Sequence, residues 1–244
     1  MSEHDDFYES ARLVSEYLLF HYGKPEEILP WDEGPKTALE FPQRCAQLLI
    51  KHAEEKGSVL DLGCAVGRST FELATHFDRA LGVDYSQAFV AAAERMRDEG
   101  AASVKVTDEG VMLKDLSVSA PATKPEFAHG DACALSEELG SFDAVLMANL
   151  VCRLHDPAAC LQRLPELVNP GGTLVITTPN TWLEEFTPRD RWMAQGEQRT
   201  LDGLKDALAD SFECIDTCDM PFLIREHARK YQWTVAEASV WRRK

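Results

Sequence analysis

Short apolar runs alternate with longer amphipathic stretches along most of the chain, which is typical of a parallel sheet covered by helices. Apolar runs of strand length predict seven strands, at 58–62, 80–84, 125–130, 142–148, 172–178, 212–219 and 231–242. Apolar residues at helical spacing predict helices at 68–77, 86–99, 157–168 and 200–210. The alternation of the two kinds of segment predicts an α/β fold.

The chain before the first strand is amphipathic as well. Residues 6–22 predict a helix, and Asp5 or Asp6 is placed to cap it. Its core-facing residues recur at helical spacing: Phe7, Ala11, Val14 and Leu18.

A second helix is predicted at 39–56, after a loop that holds three prolines and two glycines. We therefore predict a helical extension at 1–57, packed as a lid on a core at 58–244, within one structural domain.

An insertion at 103–119 separates the helix at 86–99 from the strand at 125–130. β-like runs flank the turn-forming sequence Asp108-Glu109-Gly110, which predicts a hairpin. We expect this hairpin to be either a structural flap or an interface element.

Two acids and a glycine-bearing turn stand at the start of the core. The first strand contains Asp61 and leads into a turn with Gly63 and Gly67, and the next strand ends in Asp84. Glycine has no Cβ, so its backbone can approach a ligand closely and adopt positive φ. This is the layout of a nucleotide-type cofactor site in an open parallel sheet, where the second acid accepts ribose hydroxyls. An NAD(P)-binding unit and a chance glycine turn are the alternatives.

Three later segments narrow the choice of cofactor. Gly130-Asp131-Ala132 follows a β-like run, Asn149 follows the strand at 142–148, and residues 169–176 have the form of a turn and a fifth strand. In this order the segments resemble class I methyltransferases, which bind S-adenosylmethionine (SAM). The resemblance implies a Rossmann-like fold with a seven-stranded, mostly parallel sheet and an antiparallel last strand. It also implies methyl transfer, with S-adenosylhomocysteine (SAH) as the coproduct.

The same resemblance implies cofactor contacts at particular positions. Asp61 is expected to reach the methionine amine directly or through water, Asp84 the ribose, and Asp131 the adenine amine. Ala65 stands where many methyltransferases have a third glycine. The full set of expected cofactor residues is Asp61, Gly63, Cys64, Gly67, Asp84, Tyr85, Ser86, Asp131, Ala132 and Asn149.

The net charge of the chain limits the kinds of partner that we expect. The 244 residues include 25 basic and 41 acidic ones, which gives a net charge of −16. Such a chain repels nucleic-acid phosphate and anionic membranes, so we expect neither as a partner and favour a small or cationic substrate. Solubility alone is the other explanation of the acidity.

Two features of the sequence, its targeting signals and its cysteines, indicate the cellular compartment that we expect. No apolar stretch is long enough to span a membrane, and the acidic N-terminus has no apolar signal region, so we expect a cytoplasmic protein. The seven cysteines are then expected to be reduced thiols, and without paired CxxC motifs no metal site is expected. Cys64 is expected to pack rather than to act as a nucleophile, because methyl transfer needs no covalent enzyme intermediate.

The N-terminal part of the sequence indicates a particular methyltransferase family more specifically than the core does. The segments Tyr17–Gly23, Gly34-Pro35 and Phe41–Cys45, followed by Leu60–Ser69, resemble the methyltransferase of ovothiol biosynthesis. That family occurs as the C-terminal domain of the bifunctional ovothiol synthase and as a separate protein. The resemblance covers nearly the whole chain, which would be the stand-alone form or an excised domain. It implies that the substrate is 5-thiohistidine (4-mercaptohistidine), methylated on the π nitrogen of its imidazole to give ovothiol A.

This hypothesis selects the candidate acceptor residues. The expected catalytic residues are His21, Asn149 and His155, and the expected substrate-binding residues are Tyr17, Tyr22, Arg44, Arg225 and Arg229. An arginine would hold the substrate carboxylate in bidentate fashion, and Arg44 is favoured because it lies in a family-like segment. The segment at 222–231 is expected either to complete the substrate pocket or to form a solvated helix between the last two strands.

Each residue also has a structural interpretation: a surface arginine, a core histidine or a loop cap. Two other functions stay open. One is a methyltransferase for another small amine, thiol or carboxylate. The other is a SAM-binding regulatory or scaffold protein without turnover.

Overall fold

The computed structural model describes residues 9–244, which form nine strands and seven α-helices. The strands are β1 (Ser58–Leu62), β2 (Arg79–Asp84), β3 (Ala101–Glu109), β4 (Met112–Ser119), β5 (Glu126–His129), β6 (Phe142–Ala148), β7 (Val168–Thr178), β8 (Phe212–His227) and β9 (Lys230–Arg243). The helices are α1 (Ala11–Tyr22), α2 (Pro25–Ile28), α3 (Phe41–His52), α4 (Arg68–Leu73), α5 (Gln87–Glu99), α6 (Pro157–Leu167) and α7 (Thr200–Leu208).

Seven of these strands form one sheet in the order β5-β2-β1-β6-β7-β9-β8. β9 runs antiparallel to both of its neighbours, and the other six strands run in one direction. The predicted Rossmann-like fold, with an antiparallel last strand, is therefore confirmed. The strand order reverses between β1 and β6, and ligands of open α/β sheets bind at the carboxyl ends of the strands beside such a reversal.

Helices cover both faces of the sheet because its central strands are apolar on both sides. Leu60, Val145 and Leu174 belong to a buried cluster shared with α6 and α7. Val59 and Ala144, which point to the opposite face, pack in a second cluster with α3.

Element ends follow local capping chemistry. α1 begins at Ala11 because the Ser10 hydroxyl accepts the Leu13 N–H at 3.2 Å. α5 begins after Ser86, which caps it, and stops at Gly100 in the left-handed conformation. Asp5, Asp6 and Phe7, which the sequence places in the first helix, lie outside the described residues.

The insertion forms the predicted hairpin. β3 and β4 pair antiparallel, with Gly110 at φ +57° in the turn. Alternate residues near the base of the hairpin are buried, and Val104, Val106, Leu116 and Val118 pack in one cluster with residues of α1 and α5. The hairpin therefore forms an outer layer over α5.

The prediction for residues 222–231 is wrong in one respect, because the segment is neither a helix nor a loop. β8 and β9 pair continuously from Phe212/Arg243 to His227/Lys230, whereas β7 pairs with β9 only as far as Thr178/Glu237. Residues 220–236 thus extend beyond the sheet as a two-stranded antiparallel segment, which we call the ribbon. Side-chain alternation explains it: Phe222 packs on Phe41 on one side, and Leu223 contacts a different cluster on the other.

The tips of the ribbon and of the β3–β4 hairpin meet at Arg225. Its side chain is 5% exposed, donates to the Glu27 carbonyl at 2.6 Å, and pairs with Asp108 at 3.7 Å. The Ala228 N–H also donates to the Asp108 carbonyl at 3.1 Å. We call α1, α2, the hairpin tip and the ribbon together the cap.

Between residues 9 and 244, no helix combines the length and the apolar character needed to cross a bilayer.

Candidate active site

The turn after β1 is built on alternating left-handed residues. Gly63, Ala65 and Gly67 have φ of +78°, +48° and +89°. A Cβ on Gly67 would lie 2.6 Å from the Phe127 ring, so this position excludes any side chain. Ala65 has the conformation that a glycine would favour, and a non-glycine residue held there stores local strain.

Asp84 holds that strained turn in place. Its Oδ2 accepts the Ala65 N–H at 2.8 Å, and its Oδ1 accepts the Ser86 N–H at 2.9 Å. Burial raises the pKa of Asp84, and the N–H donors oppose that rise. The backbone N–H of Tyr85 is a third donor to this carboxylate. A carboxylate has about four acceptor positions, so acceptor capacity remains for a ligand such as a ribose.

Asp61 is fully buried and has one unsatisfied oxygen. Its Oδ2 accepts the hydroxyls of Ser69 and Thr70, each at 2.7 Å, while its Oδ1 has no hydrogen-bond partner within the described part of the chain. Burial raises the pKa of Asp61 to about 6. An orphaned carboxylate oxygen beside the glycine turn fits the amine of SAM, reached directly or through water.

The adenine end of the expected site lies beside Asp84. The Gly130 N–H donates to the Asp84 carbonyl at 2.9 Å, which places Asp131 and the buried Ala132 next to the end of β2. The Asp131 carboxylate accepts the Cys133 N–H at 2.8 Å.

Two neighbours of these residues were also expected to bind the cofactor. Tyr85 is exposed, with its ring 6.0 Å from that of His129. Cys64 is buried, and burial raises the pKa of its thiol, so the sulfur stays protonated.

His155 lies near the adenine side rather than near the cap. It lies close to Asp131 and Cys133. One possible metal-ligand atom of each of these three side chains lies within 4.8 Å of the other two. His155 is exposed, and its carbonyl accepts from Arg191 at 3.2 Å.

Asn149 stands at the carboxyl end of β6 in a left-handed conformation, with φ +53°. Its N–H donates to the Thr177 carbonyl at 2.9 Å, and its Oδ1 accepts the Thr177 hydroxyl at 3.1 Å. Because the oxygen is engaged, the side-chain NH₂ is the group with which Asn149 would meet a ligand.

The end of α1 rests on the cofactor turn. The Tyr22 hydroxyl donates to the Val66 carbonyl at 2.7 Å, and Tyr17 stacks on Phe89 with ring centres 4.6 Å apart. His21 Nδ1 accepts the Arg68 N–H at 3.4 Å.

His21 is held as a neutral ring. Burial and, to a lesser degree, the charge of Arg68 lower the pKa of His21 to about 3. With Nδ1 accepting a hydrogen bond, the ring proton lies on Nε2, so this arrangement offers a donor rather than a base.

The three candidate arginines have different environments. Arg44 donates to the carbonyls of Leu39 and Pro221, and Arg225 is engaged in the cap joint. Arg229 is exposed, its guanidinium lies 5.0 Å from the Trp31 ring centre, and it forms no ion pair with any residue from 9 to 244. Arg229 is therefore the member of the set with donors available for a ligand.

Arg229 also lines a cavity of about 350 Å³ between the ribbon and the loop that follows α2. Three aromatic rings and one acid form half of the remaining wall. The lining residues are Leu29, Trp31, Glu33, Gly34, Pro35, Leu223, Arg229, Tyr231 and Trp233.

Two polar residues at the carboxyl end of β7, on the cofactor side of the sheet, were not anticipated from the sequence. Asn180, just beyond β7, is left-handed with φ +55°, and its Nδ2 donates to Glu237 Oε2 at 3.1 Å. Glu237 pairs in register with Thr178 across β7 and β9. The one sequence signal was an asparagine two residues after an apolar strand. The acid itself is located only by the register of the sheet.

The chain is similar to a known family and to several curated proteins. The profile of the family described as "Methyltransferase domain" matches residues 33–218. The 2-methyl-6-phytyl-1,4-hydroquinone methyltransferase of Synechocystis sp. is 25% identical over 225 residues, which is 91% of this chain and 63% of the relative. The trans-aconitate 2-methyltransferase of Deinococcus radiodurans is 34% identical over 146 residues, which is 59% of this chain and 46% of the relative. The chain thus spans less than two thirds of the length of these relatives.

Solved structures show the same fold. The N-methyltransferase NodS from Bradyrhizobium japonicum WM9, in complex with SAH, superposes with a TM-score of 0.55 at 15% identity, over 94% of this chain and 98% of that chain. At this identity the likeness shows the fold alone. Together with the family match, it confirms SAM as the expected cofactor.

Replacing Asp84 tests the ribose assignment. We expect Asp84→Ala to weaken SAM binding by roughly 100-fold or more, since a hydrogen bond to a charged group contributes about 1.5–3 kcal/mol and the ribose would make two. Isothermal titration calorimetry with SAM measures the loss. Asp115→Ala, which removes an exposed acid on β4, is the control and should bind normally. Unchanged affinity in folded Asp84→Ala would refute the assignment.

Asp61 gives SAM binding a pH dependence. Because burial raises its pKa to about 6, the free protein loses this negative charge as the pH falls below 6. We expect SAM affinity to fall by up to about tenfold per pH unit below that point. Titrations from pH 7.5 to pH 5 check this. Asp61→Asn should bind more weakly and show a flatter pH curve, whereas parallel curves for the two proteins would contradict the amine contact.

Proposed function

This chain belongs to the methyltransferase domain family, and on that premise we propose that it transfers the methyl group of SAM to the π nitrogen of 5-thiohistidine, giving ovothiol A. The observation that carries the proposal is the contact between the N-terminal segment and the cofactor turn. Tyr22, within the segment that resembles the ovothiol enzymes, donates to the Val66 carbonyl at 2.7 Å. The most family-like part of the chain therefore lies against the cofactor, where an acceptor would bind.

Charge and cavity chemistry support a small zwitterionic substrate. The protein is strongly acidic, yet Arg229 has free donors at a cavity whose wall also contains Glu33. Arginine binds carboxylates in bidentate fashion, and an acid binds ammonium groups. The rings of Trp31, Tyr231 and Trp233 add apolar faces, so the cavity suits the entry of such a zwitterion.

The proposed step is an in-line displacement. SAM supplies a methyl group on a sulfonium, which is a good leaving group, so the protein mainly holds two reactants at attack distance. Asp61 and Asp84 fix the cofactor, and the Asn149 amide lies at the end of the strand next to β1. The thiol of the substrate, as a thiolate, raises the electron density of the ring and lessens the need for a strong base.

A carboxylate acceptor is the second candidate. It is favoured by the 34% identity to the trans-aconitate 2-methyltransferase, which covers 59% of this chain. Such an acceptor would also use a free arginine.

The test is a product assay with the purified chain, SAM and 5-thiohistidine under reducing conditions. We expect SAH together with a mono-methylated product whose methyl NMR signals place it on the π nitrogen. Asp84→Ala serves as the SAM-binding control and should form little product. Free histidine should react poorly, because it lacks the thiolate. Tight SAM binding with no methylated thiohistidine would reject the proposal, and turnover of an organic acid instead would establish the second candidate.

A further inference from the structure

Glu237 lies at the cofactor edge without a cationic partner. Within residues 9–244, no side-chain nitrogen of a Lys, Arg or His lies within 4.0 Å of its carboxylate oxygens. Its Oε2 instead accepts a hydrogen bond from the neutral side-chain amide of Asn180. The residue is half-buried, beside the carboxyl end of β7. A carboxylate so placed has acceptor capacity left for a ligand.

The backbone around Asn180 and Glu237 has an unusual conformation. Asn180 is left-handed at φ +55°, and its N–H donates to the Thr178 hydroxyl at 3.1 Å. Left-handed non-glycine residues follow the ends of three adjacent strands: Ala65 after β1, Asn149 after β6 and Asn180 after β7. Ala65 contacts the acid expected to bind ribose, and strained residues of this kind concentrate at functional sites.

Register brings Glu237 level with Asn149. Ala148 pairs with Thr177, so Asn149 comes level with Thr178, whose partner on the far side is Glu237. Adjacent strands lie about 4.8 Å apart, which puts roughly 10 Å between the strands of Asn149 and Glu237. An imidazole ring whose τ N–H donates to Glu237 fits that separation and keeps its π nitrogen free of hydrogen bonds.

We propose that Glu237 accepts a hydrogen bond from the τ nitrogen N–H of 5-thiohistidine and so fixes the tautomer whose π nitrogen has a free lone pair. This inference rests on the proposed function. In the step, the π nitrogen lone pair forms the new N–C bond, the S–C bond of SAM breaks, and its electron pair stays on sulfur in SAH. The proton stays on the τ nitrogen, and the carboxylate of Glu237 offsets the positive charge that the ring gains.

The test compares Glu237→Gln with Asp219→Asn in the same product assay. Asp219 is exposed and pairs directly opposite Glu237 on β8, so it is a matched acid at the same level. We expect Glu237→Gln to lower kcat/KM by on the order of 10- to 100-fold, the value of one hydrogen bond to a charged group, with unchanged SAM affinity. A glutamine NH₂ can donate to the τ nitrogen and so favour the tautomer whose π nitrogen carries the proton and cannot attack, so the loss should fall mainly on kcat rather than on KM. Asp219→Asn should match the wild-type protein.

Two further variants keep the test decisive if Glu237→Gln folds poorly. Glu237→Asp should recover part of the rate. Asn180→Gly keeps the left-handed backbone but removes the amide, and should lower kcat to a smaller degree. A wild-type kcat in Glu237→Gln, or an equal loss in Asp219→Asn, would overturn the role of Glu237 while the proposed function stands. A wild-type protein that does not methylate 5-thiohistidine would instead reject the proposed function, and this inference with it.

Discussion

The hydrogen bond from the Ala65 N–H to the Asp84 carboxylate is the contact on which the cofactor edge depends. It joins the turn after β1 to the end of β2 and stabilises a left-handed alanine that would otherwise be strained. The Gly130 N–H then donates to the Asp84 carbonyl and extends the same edge to β5. One acid thus organises three strand ends, and its carboxylate retains acceptor capacity for a ligand.

The cap completes the edge from the opposite side. α1 is fixed to the turn through Tyr22 and Val66, and the ribbon is fixed to α2 and the β3–β4 hairpin through the buried Arg225. Burying a guanidinium is costly unless it is paired. Glu27 and Asp108 pair two of the Arg225 nitrogens, while its Nε has no partner among the described residues. A cap held by polar joints at its ends is suited to enclose a polar reactant.

Local signals in the sequence were sufficient to predict the central strands of the core. β1 and β6 have the predicted bounds because their apolar runs are short and clearly terminated. The ribbon was missed because Arg225, Glu226 and Arg229 interrupt its apolar alternation, and the role of Arg225 depends on a carbonyl 198 residues away. Glu237 was missed for the same reason, since its position beside Asn180 follows from the register of β7 and β9 rather than from any neighbour in the chain.

The most direct measurement is a crystal structure of the chain with SAH and 5-thiohistidine bound together. The account predicts the ribose hydroxyls on Asp84 and the imidazole between Asn149 and Glu237, with its π nitrogen facing the SAH sulfur. An imidazole bound away from this edge, or a ribose that does not contact Asp84, would contradict it.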